Sequence, residues 1–163
     1  MSHRIQLANQ VPAAVSAMMG LESYLGGTDI PLSLKELIKL RASMLNGCAY
    51  CIEMHAEVAM KHGDSPQRLL ALAAWRESPL FDERERAVLD YAEAMTGLDG
   101  VSDEQAARLK PWFDDDALVE LTGLIAFQNM SAKFNAALDI APQGFCQLPV
   151  QPERPAPSDR EHQ

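Results

Sequence analysis

Residues 34–55 read LKELIKLRASMLNGCAYCIEMH, and the spacing within this stretch decides the fold class. Leu34, Leu37, Ile38, Leu40, Met44 and Leu45 recur at helical intervals, so an amphipathic helix opened by Ser33 is expected to run to Asn46-Gly47, a natural C-terminal cap. A new helix is expected from Cys48 to His62, with Gly63 ending it. Steps of three and four residues then place Cys48, Cys51 and His55 on one face of that second helix.

Working outward, breaker residues cut the rest of the chain into further helical segments, and alternating runs of β-branched and aromatic residues are missing almost everywhere. Upstream, an apolar stretch from about Pro12 to Tyr24 is closed by Gly26-Gly27-Thr28-Asp29 and Pro31. Downstream, Ser65 with Pro66 marks an N-terminus for a helix through Leu69, Leu72 and Trp75. Asp82 with Glu85, and Ser102 with Gln105, have the spacing of capping boxes. Asp114-Asp115-Asp116 sits where the dipole of a last long helix, reaching about Leu138, favours negative charge. The apolar residues of that helix extend around much of its circumference, which suggests burial on more than one side, as at a subunit interface.

The expected fold is all-α, a single-domain helical bundle of about six to seven helices over residues 1–146. The arm 147–163, with Pro149, Pro152, Pro155 and Pro157, is expected to be flexible or draped over the surface.

The chain has 163 residues, 47% of them apolar, which is enough for a packed core without disulfide staples or a structural metal. A net charge of -9 without a basic cluster argues against nucleic acid as a partner. Neither a secretory signal nor a membrane span is visible, so a cytoplasmic protein is expected. In a reducing compartment a close cysteine pair points to redox work or metal binding rather than to a structural bridge.

A cysteine in the first turn of a helix faces unpaired backbone N–H groups and the positive end of the dipole, both of which stabilise a thiolate. A thiolate that attacks a peroxide oxygen becomes a sulfenic acid, and a second thiol three residues away can capture it as a disulfide. His55, one turn beyond Cys51, is placed to move the proton. Two thiolates and an imidazole are also good zinc ligands, and His62 extends the same face. However, Cys48 and His62 stand about 21 Å apart along a helix, too far for one coordination shell, and outside the segment Cys146, His3 and His162 stand singly, with no second Cys or His cluster. Glu36 has two readings: Ser33 and Glu36 have capping-box spacing, and a carboxylate there could equally relay protons. Tyr50, Met44, Met54 and Met60 read as packing residues, His62 as a helix-end residue and Cys146 as a bystander thiol.

Glu36, eleven intervening residues, Cys48 and Cys51, and then His55 four positions on resemble the signature of the alkylhydroperoxidase D-like family, within the carboxymuconolactone decarboxylase superfamily. The resemblance is tightest from Glu36 to Gly63, and the helix order to about Asp139 is compatible with it. It implies a thiol-dependent peroxidase, without a cofactor or a catalytic metal. In it Cys51 reduces the hydroperoxide, Cys48 resolves the sulfenic acid, and Glu36 and His55 relay protons. It further implies a lipoyl- or thioredoxin-like dithiol reductant and assembly as a homotrimer or hexamer. Where well-studied members carry a second histidine just before the second cysteine this chain has Tyr50, which implies a slower or differently wired relay. A non-catalytic redox sensor or metal-binding protein, and a lyase like the superfamily's decarboxylases, are the competing readings.

Overall fold

The computed structural model describes residues 11–144. Among them are seven α-helices and no strand: α1 (Pro12–Gly26), α2 (Leu32–Leu45), α3 (Ala49–Lys61), α4 (Pro66–Ala71), α5 (Glu83–Thr96), α6 (Asp103–Ala107) and α7 (Asp115–Ala137). The expected all-α bundle is the observed one. No helix among the described residues is long and apolar enough to cross a membrane. Cys146, His3 and the arm from residue 147 lie outside the described residues, as does the expected domain boundary.

Helix starts follow their caps. Asp82 and Ser102 each form the expected capping box, with Glu85 and Gln105 closing back onto the cap backbone. Ser65 caps α4 ahead of Pro66, and Asp114 accepts the Ala117 N–H at the start of α7. The fourth helix is shorter than expected: after Ala71 the chain tightens into a 3-10 turn over Leu72–Ala74, which still buries Leu72 and Trp75.

The largest departure is at α2. Its cap is Pro31, whose ring fixes φ near −54°, and no side chain caps this end, so Ser33 lies inside the helix and does not form a capping box with Glu36. Instead α2 is the central helix, packed against α3, α5 and α7 and buried on every side. Leu34, Leu37, Ile38 and Leu40 join Leu72, Leu89, Leu121, Leu124 and Ile125 in the main core. Burial all round also takes Lys35, Glu36 and Lys39 out of water, and each has partners. Lys35 Nζ donates to the Gly26 and Thr28 carbonyls at 2.7 Å each, closing the C-terminal end of α1.

α2 turns into α3 through Asn46 and Gly47, as the spacing predicted. Gly47 has φ +67°, the left-handed conformation that costs a side-chain-bearing residue most. Cys48 is the N-cap of α3 rather than a first-turn residue. Along α7, Leu121, Leu124, Ile125, Phe127, Gln128 and Ala132 are buried, whereas Val119 and Met130 stay exposed.

Candidate active site

The tight α2–α3 turn and the packing of α7 on α2 bring residues from three helices around the cysteine pair. Cys48 and Cys51 are joined by a disulfide, with their Cα atoms 5.3 Å apart. As N-cap, Cys48 accepts the Cys51 N–H on its sulfur at 3.3 Å, so the helix start does hold this sulfur as the sequence suggested. Both sulfurs are buried in a small cluster with Ala132 of α7, and Tyr50 packs against it, as expected of a packing residue.

Of the four expected site residues, Glu36, Cys51 and His55 converge. His55 Nδ1 lies 2.8 Å from Glu36 Oε2, and both side chains are about 95% buried, with 5% of each exposed. Glu36 therefore does not cap α2; its carboxylate meets His55 instead. Cys48 completes the set through the disulfide.

The structure adds residues that spacing did not point to. Gln128 of α7 places Oε1 3.0 Å from His55 Nε2, and its amide nitrogen donates to Ser43 Oγ at 2.9 Å. Asn135, two turns further along α7, donates from Nδ2 to Cys51 Sγ at 3.4 Å. Behind Glu36, Lys39 Nζ stands 3.7 Å from Glu36 Oε1 and 2.7 Å from Glu22 Oε1 on α1. The buried carboxylate is thus neutralised by an ammonium one turn away, the condition under which a charged group is tolerated in an interior. A signal for Gln128 exists in hindsight: it continues the Leu121, Leu124 stripe at helical spacing, so a polar side chain was bound to enter the core and need partners. Asn135 carries no comparable signal.

A cavity of about 330 Å³ opens onto this group. Cys51, His55, Gln128, Ser131 and Asn135 are among its lining residues, with Met18, Met54, Phe127 and Phe134 as apolar walls, and Glu22 lines it too. Met54, read as a core filler, lines this cavity, whereas Met44 and Met60 do pack on the core. His62 caps the end of α3, its Nδ1 2.9 Å from the Val58 carbonyl oxygen. On the other side of the disulfide a separate groove is lined by Gly47, Cys48 and Ala49 with the C-terminal end of α7, and Asn135 borders both spaces. Cys51 thus lines one space and Cys48 the other. Among the described residues no three His, Cys, Asp or Glu side chains are grouped so as to hold a metal ion.

The arrangement suits thiol redox chemistry: a sulfur reachable from an apolar cavity, a donor to stabilise its thiolate, a second sulfur already within bonding distance, and an imidazole–carboxylate pair for protons.

Comparison with known proteins shows the family and the fold. The carboxymuconolactone decarboxylase family matches residues 10–94. An uncharacterised Escherichia coli (strain K12) protein, YnjA, is 41% identical over 71% of this chain, which spans 64% of YnjA's length. A crystal structure of an Agrobacterium tumefaciens protein of unknown function, proposed as an antioxidant defence protein AhpD, superposes with TM-score 0.84 at 33% identity, covering 87% of this chain and 99% of that one. The debrominase Bmp8 superposes with TM-score 0.74 at 25% identity, over 82% of this chain and 73% of its own.

Proposed function

The chain belongs to the carboxymuconolactone decarboxylase family, on its alkylhydroperoxidase D-like side, and from that premise we propose that it is a thiol-dependent peroxidase reduced by an external dithiol. One observation carries the reading: Cys51, bonded to Cys48, lines the apolar cavity beside the buried His55–Glu36 pair.

In the reduced enzyme the Cys51 thiolate, facing the Asn135 amide, attacks the terminal oxygen of a hydroperoxide. The O–O bond breaks, Cys51 becomes a sulfenic acid, and the alkoxide takes a proton from the His55–Glu36 pair to leave as an alcohol. Cys48 then attacks the Cys51 sulfur; an S–S bond forms, the S–O bond breaks, and the oxygen leaves as water with the Cys48 proton. A dithiol donor, lipoyl- or thioredoxin-like, restores both thiols and departs as a disulfide. Attack at Cys48 through its own groove expels Cys51 as the thiolate that Asn135 receives. The apolar walls favour an organic hydroperoxide. Exposed Met19, Leu21 and Tyr24 on α1, with Val119 and Met130 on α7, suit the homo-oligomer that the family resemblance implies.

The test is a thiol titration with organic hydroperoxides on wild type, Cys48→Ser and Cys51→Ser. We expect both thiols to be lost together in wild type and a trappable sulfenic acid at Cys51 in Cys48→Ser. Trapping at Cys48 instead would reverse the roles. No loss with any hydroperoxide would leave a sensor or binding protein, and turnover of a lactone acid without either cysteine would make it a lyase.

A further inference from the structure

Ser43 determines which way round the Gln128 amide sits. Its Oγ lies 2.6 Å from the Lys39 carbonyl oxygen, which can only accept, so the one hydroxyl hydrogen points there. Toward Gln128, 2.9 Å away, Ser43 Oγ is then an acceptor, and the amide N–H must face it. Gln128 Oε1 is left facing His55 Nε2 at 3.0 Å, where it requires a hydrogen. On the far side of the ring Glu36 Oε2, at 2.8 Å, also accepts unless it is itself protonated. The ring and the carboxyl together therefore hold two protons, one on Nε2 and one between Nδ1 and Glu36. With only one, either the Nε2 lone pair would point at the Gln128 oxygen or the Nδ1 lone pair at an ionised Glu36 oxygen, inside a site where His55 and Gln128 are 4% and 2% exposed.

We propose that Gln128 is a positioning residue that, anchored by Ser43, keeps His55 protonated at Nε2, so that the His55–Glu36 pair stands loaded as an acid while the Cys48–Cys51 disulfide is formed. Its use in catalysis rests on the peroxidase reading; the protonation itself does not. In the balanced step the Cys51 thiolate and a hydroperoxide yield the sulfenic acid and an alkoxide, and the Nε2 proton passes to the alkoxide oxygen. His55 is then neutral with its hydrogen on Nδ1 toward the Glu36 carboxylate. A proton from water reloads the pair at Nε2, where Gln128 Oε1 stands to receive it.

The charged and titratable groups around the ring are Glu36 and Lys39 on α2, Glu22 on α1 and Tyr50 on α3, with Cys51 joining them only when reduced; the polar side chains that α7 presents to this cavity, Gln128, Ser131 and Asn135, are all uncharged. The uncharged side is thus where the protonation state is selected.

The experiment is ¹⁵N NMR of His55 in the oxidised full-length protein, for wild type, Gln128→Leu, Gln128→Glu and Ser43→Ala. Wild type should show a protonated Nε2 near neutral pH. Gln128→Leu should move that signal toward a bare Nε2, Gln128→Glu should restore it, and Ser43→Ala, the gentler change should Gln128→Leu fold poorly, should shift it in the same direction as Gln128→Leu. A wild-type ring with a bare Nε2, or a signal indifferent to all three variants, overturns the assignment. Because this readout needs no turnover, it is independent of the peroxidase reading. A parallel stopped-flow arm should show Gln128→Leu slowed about tenfold or more toward hydroperoxide near neutral pH. That slowing should exceed any slowing of disulfide exchange with dithiothreitol; equal slowing of both reactions would mean a general structural defect and sink the acid role.

Discussion

Glu36 Oε2 and His55 Nδ1 lie 2.8 Å apart although the residues stand 19 positions apart in the chain and belong to different helices. The α2–α3 turn at Gly47 folds the two helices onto each other so that a carboxylate mid-way along one meets an imidazole one turn past the cysteine pair on the other.

Glu36→Gln keeps the shape of this contact and removes its charge. If the pair moves the proton as proposed, thiol loss on mixing with an organic hydroperoxide should slow by about 100-fold, the low end for general acid–base catalysis. The fold should persist. An unchanged rate in stopped flow would leave Glu36 as a structural partner of His55.

Asn135→Ala removes the N–H that reaches Cys51 Sγ at 3.4 Å. The Cys51 thiolate then lacks a donor, so in the Cys48→Ser background its ultraviolet absorbance should titrate at higher pH than with Asn135 present. Asn135→Asp, which brings a negative charge, should push the midpoint higher still. A midpoint that ignores both changes would show that the amide does not stabilise the anion.

Glu93 ties α5 to its neighbours: Trp75 Nε1 and Arg41 Nε each donate to Oε1 at 2.7 Å, and Arg76 pairs with Oε2. Burial opposes its charged form, yet the hydrogen bonds from Trp75, Arg76 and Arg41 outweigh it and hold the carboxyl below its ordinary value of 4.5. A depressed folded value gives stability that is complete above the unfolded value and is lost as pH falls through the folded one. Glu93→Gln should therefore cost about 2 kcal/mol in urea unfolding at pH 7, and the gap to wild type should close progressively below about pH 4.5. A pH-independent gap would contradict this account.

Gly47→Ala tests the turn that delivers Cys48. A Cβ there would meet nothing within 4 Å, so the penalty is conformational alone, from φ +67°. We expect a loss of about 1 kcal/mol in unfolding free energy with the disulfide still formed. A loss near zero would mean that the turn relaxes to another conformation.

Much of the architecture was legible because helix ends are local. Asp82, Ser102, Ser65 and Asp114 satisfy backbone N–H groups within three residues of themselves, so composition and spacing suffice to place them. The same locality misled at Ser33. Pro31 set the start of α2 earlier than the capping pattern implied, and burial of the helix on all sides recruited Glu36 to a partner in α3.

By itself the sequence determined what depends on neighbours along the chain: the all-helical class, most helix limits, and the sharing of one face by Cys48, Cys51 and His55. Tertiary structure alone decided what surrounds them. Gln128 lies 73 positions from His55 and Asn135 lies 84 from Cys51, and although Gln128 continues the apolar stripe of α7, nothing along the chain names the buried group it meets. They reach the site because α7 must bury its apolar stripe against α2, and a polar side chain carried into that interface has to find the buried groups that need it.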